Sequence, residues 1–150
     1  MIQARIYSLE SVLSKMLQVD SARRIGKLPF IHPLGELSEE EVYKILIDAY
    51  RLRLDDNYVF AAEFRGLYAG EDPVVDFNRF LDKAEWNDGI LPKWWNKEKR
   101  KRCIEIGTKK EGWSYLGHAV EKQDVIDEYK DRYMPGTLRM LAEKVYGPIF

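Results

Sequence analysis

The sequence predicts an all-α fold, a single compact domain of about five or six helices joined by long ordered connections. Three observations carry this expectation. Apolar residues recur at spacings of three and four, as one buried helix face requires. Helix-start chemistry, Ser38-Glu-Glu-Glu41 and Asp72-Pro73, stands ahead of two of those runs. No segment alternates with the period of two that marks a half-buried strand. The 150 residues are 45% hydrophobic and 13% aromatic, enough for one packed core. Nothing resembles an interdomain linker, so residues 1–150 read as one domain. Residues 1–37 form an N-terminal helix and an extended connection, and residues 38–147 form the helical body.

The first helix is placed over residues 2–18, where Ile2, Ile6, Leu9, Leu13 and Met16 make a stripe. SARRIGKLPFIHPLGELS (21–38) is rich in Gly and Pro and reads as extended, packed by Leu28, Phe30, Ile31 and Leu34. Ser38 then caps a second helix, with Glu41 reaching back and three acids at the positive end of the dipole. Its inner face is Val42, Ile45, Leu46, Ala49, Leu52 and the stem of Arg53. The acidic stretch Leu54-Asp55-Asp56-Asn57 reads as its end, and Gly66 and Gly70 read as turn residues.

Asp72 caps a third helix with Pro73 at its first position, where no donor is missed. Val74, Phe77, Phe80, Leu81 and Ala84 should be buried, and Asn87-Asp88-Gly89 ends the helix. A fourth starts near Trp95-Asn96 and stops at Gly107. Two more run from Glu121 to about Tyr129 and from Pro135 to Tyr146, the last followed by Gly147-Pro148.

Twenty-four Lys and Arg against 25 Asp and Glu give a net charge of -1, so no global field draws the chain to nucleic acid or membrane. No apolar run approaches the ~18 residues of a membrane span. The single cysteine, Cys103, excludes a disulfide scaffold within the chain and fits an intracellular setting, cytoplasmic or nuclear. The amphipathic N-terminus, with Arg5, Lys15, Arg23 and Arg24, loosely resembles a mitochondrial presequence, against which stand Glu10 and Asp20.

One conspicuous chemical feature remains, LPKWWNKEKRKRC (91–103). Residues 91–110 hold eight cations and two anions, whereas residues 36–56 hold seven acids and three cations. Lys97, Lys99, Arg100, Lys101 and Arg102 are therefore the candidate binding surface, for a protein partner, a second copy, or nucleic acid. With Asn96 as cap, Trp95, Lys99, Cys103 and Ile106 share a face, and Lys97, Arg100 and Lys101 point to solvent. Stacking platforms for nucleic acid set exposed aromatics among cations. Here Trp94 and Trp95 follow Leu91 and Pro92 at the helix start, which also suits anchoring in a core.

Catalytic and metal chemistry find little support. His32 and His118 have no partner at ligand spacing, and one cysteine cannot complete a zinc site alone, so no metal or cofactor is expected. Cys103 falls on the apolar side of its helix, as a structural thiol would. The Asp55-Asp56-Asn57 stretch lacks the glycine and final glutamate of a calcium loop. An enzyme working through clustered carboxylates, Asp48, Asp55 or Asp56 with Arg51 or Arg53, is the third function class, revived by a deep pocket where one of those acids meets a cation.

YKILIDAYRLRLDDNY (43–58), DFNRFLDKAE (76–85), GILPKWWNKEKRKRC (89–103) and VEKQDVIDEYKDRYMPGTLRMLAEKVYG (120–147) together resemble a group of filamentous-fungal MYND-type zinc-finger proteins. The likeness covers residues 42–147, in order and with similar spacing. The finger's Cys/His ligand set is absent, so the resemblance implies the helical companion domain and no zinc. The expectation is a non-enzymatic, helical protein-interaction domain of a fungal intracellular protein, docking a partner or itself through charged surfaces. A nucleic-acid or ribonucleoprotein-associated module using the basic helix is the alternative.

Overall fold

The computed structural model describes residues 31–150, and every element among them is helical. The helix expected over residues 2–18 lies outside the described residues. In chain order the elements are α1 (Ile31–Glu36), α2 (Glu39–Ala61), a 3-10 turn (Gly66–Ala69), α3 (Pro73–Trp86), α4 (Lys97–Gly107), α5 (Lys122–Tyr129) and α6 (Met134–Tyr146). The short α1 corrects part of the expected extended connection. Its one-and-a-half turns seat Leu34 in the core at 2% exposure.

α2 is the axis of the molecule, about 35 Å long at 1.5 Å per residue. It starts as expected: Ser38 Oγ accepts from the Glu41 N–H at 3.1 Å, and Glu41 Oε1 accepts from the Ser38 N–H at 3.0 Å. Fourteen of its 23 residues are buried, so it has an inner surface nearly all round instead of one stripe. α6, α4, α3 and the 3-10 turn pack around it, and α6 also contacts α3 and α5.

The expected end at residues 54–57 is corrected as well, since the helix runs on to Ala61. Its polar residues find partners that keep them helical, two of them beyond the helix and one a turn back within it. Tyr68 donates to Asp55 at 2.8 Å, Arg139 clamps both Asp56 oxygens at 2.8 and 2.9 Å, and Arg53 donates to Asn57 at 2.9 Å. The helix closes at Ala62, whose φ of 54° is left-handed and whose N–H returns to the Asn57 and Tyr58 carbonyls.

α3 has the expected cap, with Asp72 accepting from the Val74 N–H at 2.9 Å. It buries Phe77, Phe80, Leu81 and Ala84, with Val74 half-buried. Phe77 and Phe80 pack on the Tyr50 ring at 5.3 and 5.6 Å, beyond which Tyr146 of α6 meets Phe80. Among these rings Tyr50 donates to the buried Asp76 at 2.8 Å. Gly66 passes over that pair with φ of +52°. A Cβ there would lie 2.7 Å from the Tyr50 hydroxyl and 3.0 Å from Asp76, so both conformation and space demand glycine.

α5 and α6 match their expected spans within a residue, as helix boundaries allow. No helix among the described residues is long and apolar enough to cross a membrane.

Candidate functional site

The basic helix α4 forms because Asn96 Oδ1 accepts from the Lys99 N–H at 2.9 Å, directly after a turn that carries both tryptophans. Trp94 and Trp95 meet Tyr43 of α2 in edge-to-face arrangements, at 5.9 and 6.3 Å between ring centroids. Trp95 Nε1 donates to Glu85 of α3 at 2.9 Å. Both rings are half-buried. They anchor the start of α4 between α2 and α3.

Three of the five candidate cations are bound within the chain. Lys99 Nζ reaches both oxygens of Glu39 at 2.9 and 3.0 Å, and Arg102 pairs with Glu40 at 3.6 Å. The acidic start of α2 and the basic helix thus meet inside one molecule. Arg100, expected in solvent, is 17% exposed and crosses to α3. There it meets Asp82 at 2.9 Å, Glu85 at 3.0 Å and the Asn78 side chain at 2.7 Å. Its long stem reaches across the interhelical groove to a row of acceptors, which residue spacing on α4 alone does not reveal. Lys97 and Lys101 are exposed and pair with no carboxylate among the described residues.

Cys103, at 0% exposure, packs under α4 with its thiol 3.9 Å from the Tyr43 carbonyl. Burial pushes that thiol well above its ordinary range, which suppresses the thiolate needed for nucleophilic attack. His118 lies on the loop before α5, its ring edge against Tyr115 at 4.9 Å, and no hydrogen bond joins it to Cys103. Among the described residues no three His, Cys, Asp or Glu side chains converge on a position that could hold a metal ion.

The carboxylates of α2 do meet cations. Asp48 is fully buried, accepting from Arg51 at 3.2 Å, from Ser114 at 2.9 Å and from the Tyr129 hydroxyl. Burial and the Asp48 charge hold the Tyr129 phenol well above its usual range. Arg51 also donates to the backbone carbonyls of Trp113 at 2.9 Å and His118 at 3.2 Å. This cluster staples the loop between α4 and α5 onto α2. Above it opens a cleft of about 650 Å³ with Arg51 in its floor. Asp48 is sealed beneath and does not line the cleft.

A second hollow, about 420 Å³, lies where the end of α2 meets the chain's last residues, lined by Arg53, Asp56, Phe60, Arg139 and Phe150. Around it the end of α2 carries an aromatic ridge built of two separate ring pairs on different sides of the helix. Tyr58, Val59, Phe60 and Phe64 are 46–58% exposed, the Tyr58 ring meeting Phe64 at 5.2 Å and Phe60 meeting Phe150 at 6.2 Å. Ending α2 at residues 54–57 hid this ridge from sequence reasoning. The available signal was Tyr58, four residues after Leu54, a helical spacing that continues past Asp55-Asp56-Asn57.

No family model, curated protein or solved structure matches the chain.

Proposed function

We propose that the chain is a non-enzymatic helical interaction domain that docks a protein partner or a second copy of itself. The observation that carries the reading is the aromatic ridge at the end of α2. Exposed aromatic surface of this kind is costly in water and is the residue class that anchors interfaces. The ring–ring contacts hold these side chains in place before a partner arrives, which lowers the ordering cost of binding. Arg139 and Glu143 line the hollow beside Phe60 and offer a polar rim. The exposed Lys97 and Lys101 of α4 supply the charged component expected for an acidic partner.

The nucleic-acid alternative has less support, because Lys99, Arg100 and Arg102 are already committed to Glu39, Asp82, Glu85 and Glu40. The enzyme reading has less support, because Asp48 is sealed under Arg51, Ser114 and Tyr129, and Asp56, which does line the second hollow beside cations, has both oxygens held by Arg139. The proposed setting is an intracellular fungal protein whose residues 42–147 are similar to the helical companion domain of MYND-type zinc-finger proteins. The segments carrying that likeness fall on α2, α3, the approach to α4 and its first seven residues, and α5 with α6.

The test is affinity capture of the tagged chain from the cells that make it, beside a Phe60→Ser, Phe64→Ser variant whose helical content is verified by circular dichroism. The expected result is a protein complex, or a self-complex, that the variant loses. An identical set of complexes for both, or complexes that vanish on nuclease treatment, would overturn the reading.

A further inference from the structure

The cleft above Asp48 carries an inference separate from the aromatic ridge. Its floor is Arg51, a side chain only 4% exposed. Nε and Nη1 of that guanidinium are spent on the His118 carbonyl, the Trp113 carbonyl and Asp48. Nη2 has no acceptor among the described residues, although Arg51 lines the cleft. A buried guanidinium edge facing an open cleft is a fixed donor, held at its other positions and offering two N–H bonds to an incoming oxygen.

The walls select what brings that oxygen. Arg51 is matched by Asp48 beneath it, and Glu128 is matched by Lys44 at 3.1 Å. The remaining wall charges are Glu111, Asp124 and Asp127 against Lys110, a net of two negative charges. A free carboxylate or phosphate would meet Arg51 only by passing this acidic rim. A neutral carbonyl flanked by a cation satisfies both features at once. An extended peptide has that pattern, with backbone oxygens repeating beside its side chains.

We propose that this cleft docks a basic peptide segment of a partner protein. One backbone carbonyl accepts from Arg51 Nη2, and a neighbouring Lys or Arg side chain lies between Asp127 and Glu111. The inference rests on the interaction reading for the nature of its ligand, but it uses a different surface from the ridge.

The test is a titration of the whole chain, followed by 1H–15N spectra, with a capped Gly-Lys-Gly-Arg-Gly peptide. A capped Gly-Glu-Gly-Glu-Gly peptide and spermidine serve as comparisons. The expected result is saturable shifts at the amides of Trp113 and His118 and at the Arg51 side-chain resonances, with the basic peptide only. Asp127→Lys with Glu111→Lys, both exposed positions, should weaken binding at least tenfold while leaving the remaining spectrum in place. The Phe60→Ser, Phe64→Ser variant should bind the peptide unchanged, so failure at the cleft and failure at the ridge are separable. The proposal is overturned by no shift up to about 5 mM peptide. It is equally overturned by equal binding of the acidic peptide, or by spermidine binding as tightly as the basic peptide.

Discussion

Asp48 has no accessible surface, and four groups converge on its two oxygens: Arg51, Ser114, Tyr129 and, at 3.5 Å, Lys44. A lone carboxylate in that position would be ruinous, whereas one with this many donors joins α2, α5 and the intervening loop. Removing it strands a buried Arg51 and a buried Tyr129 hydroxyl. Asp48→Ala is therefore expected to cost about 3–5 kcal/mol, the range for breaking one partner out of a buried pair. Urea melts at neutral pH measure this directly. A loss below about 1 kcal/mol would mean that the cluster is incidental to the fold. Cys103 and Asp76 follow the same logic, as chemically suggestive side chains held at 0% exposure by packing.

The helix starts were legible because their chemistry is local. Ser38 with Glu41, Asp72 with Pro73, and Asn96 cap their helices within three residues, and each does so in the structure. What was not legible depended on partners far along the chain. Asp55 and Asp56 look like a helix end until Tyr68 and Arg139 are brought to them. The candidate cations were found by composition, but Glu39 lies sixty residues from Lys99, so that pairing had no local signature. The Arg51 cleft also went unread, since its floor and walls come from α2, a loop and α5. The true end of α2 offers its own test. Ala62 holds a left-handed conformation that costs a non-glycine residue about 1–2 kcal/mol, so Ala62→Gly is expected to raise stability by roughly 1 kcal/mol. A destabilised variant in thermal or urea melts would show that the helix does not close there.

At the scale of the whole molecule, five tyrosines couple the fold to alkaline pH. Burial is the main cause in each, lifting Tyr43 from 10.0 to about 12 and raising Tyr50, Tyr68, Tyr129 and Tyr146 well above their usual range. Above pH ~10 the unfolded chain releases these protons while the folded chain keeps them. Stability is thus fully present below pH ~10 and falls as pH rises beyond it, by up to about 1.4 kcal/mol per pH unit for each phenol. Denaturant melts between pH 8 and 11 check the sign; a midpoint that stays level above pH ~10 would contradict the buried-phenol core.

Charge at this scale is where the proposed function and its nucleic-acid alternative part in their expected binding. The basic helix has three of its five candidate cations paired within the fold, and the central proposal is that the chain docks protein and does not grip nucleic acid. The most direct measurement is fluorescence anisotropy of labelled RNA and duplex DNA with the parent chain at ~150 mM salt, where the Debye length is about 8 Å. With three of five cations paired internally and a net charge of -1, binding weaker than about 10 μM is expected. Sub-micromolar binding that falls steeply with added salt and disappears in a Lys97→Glu, Lys101→Glu variant would contradict the account.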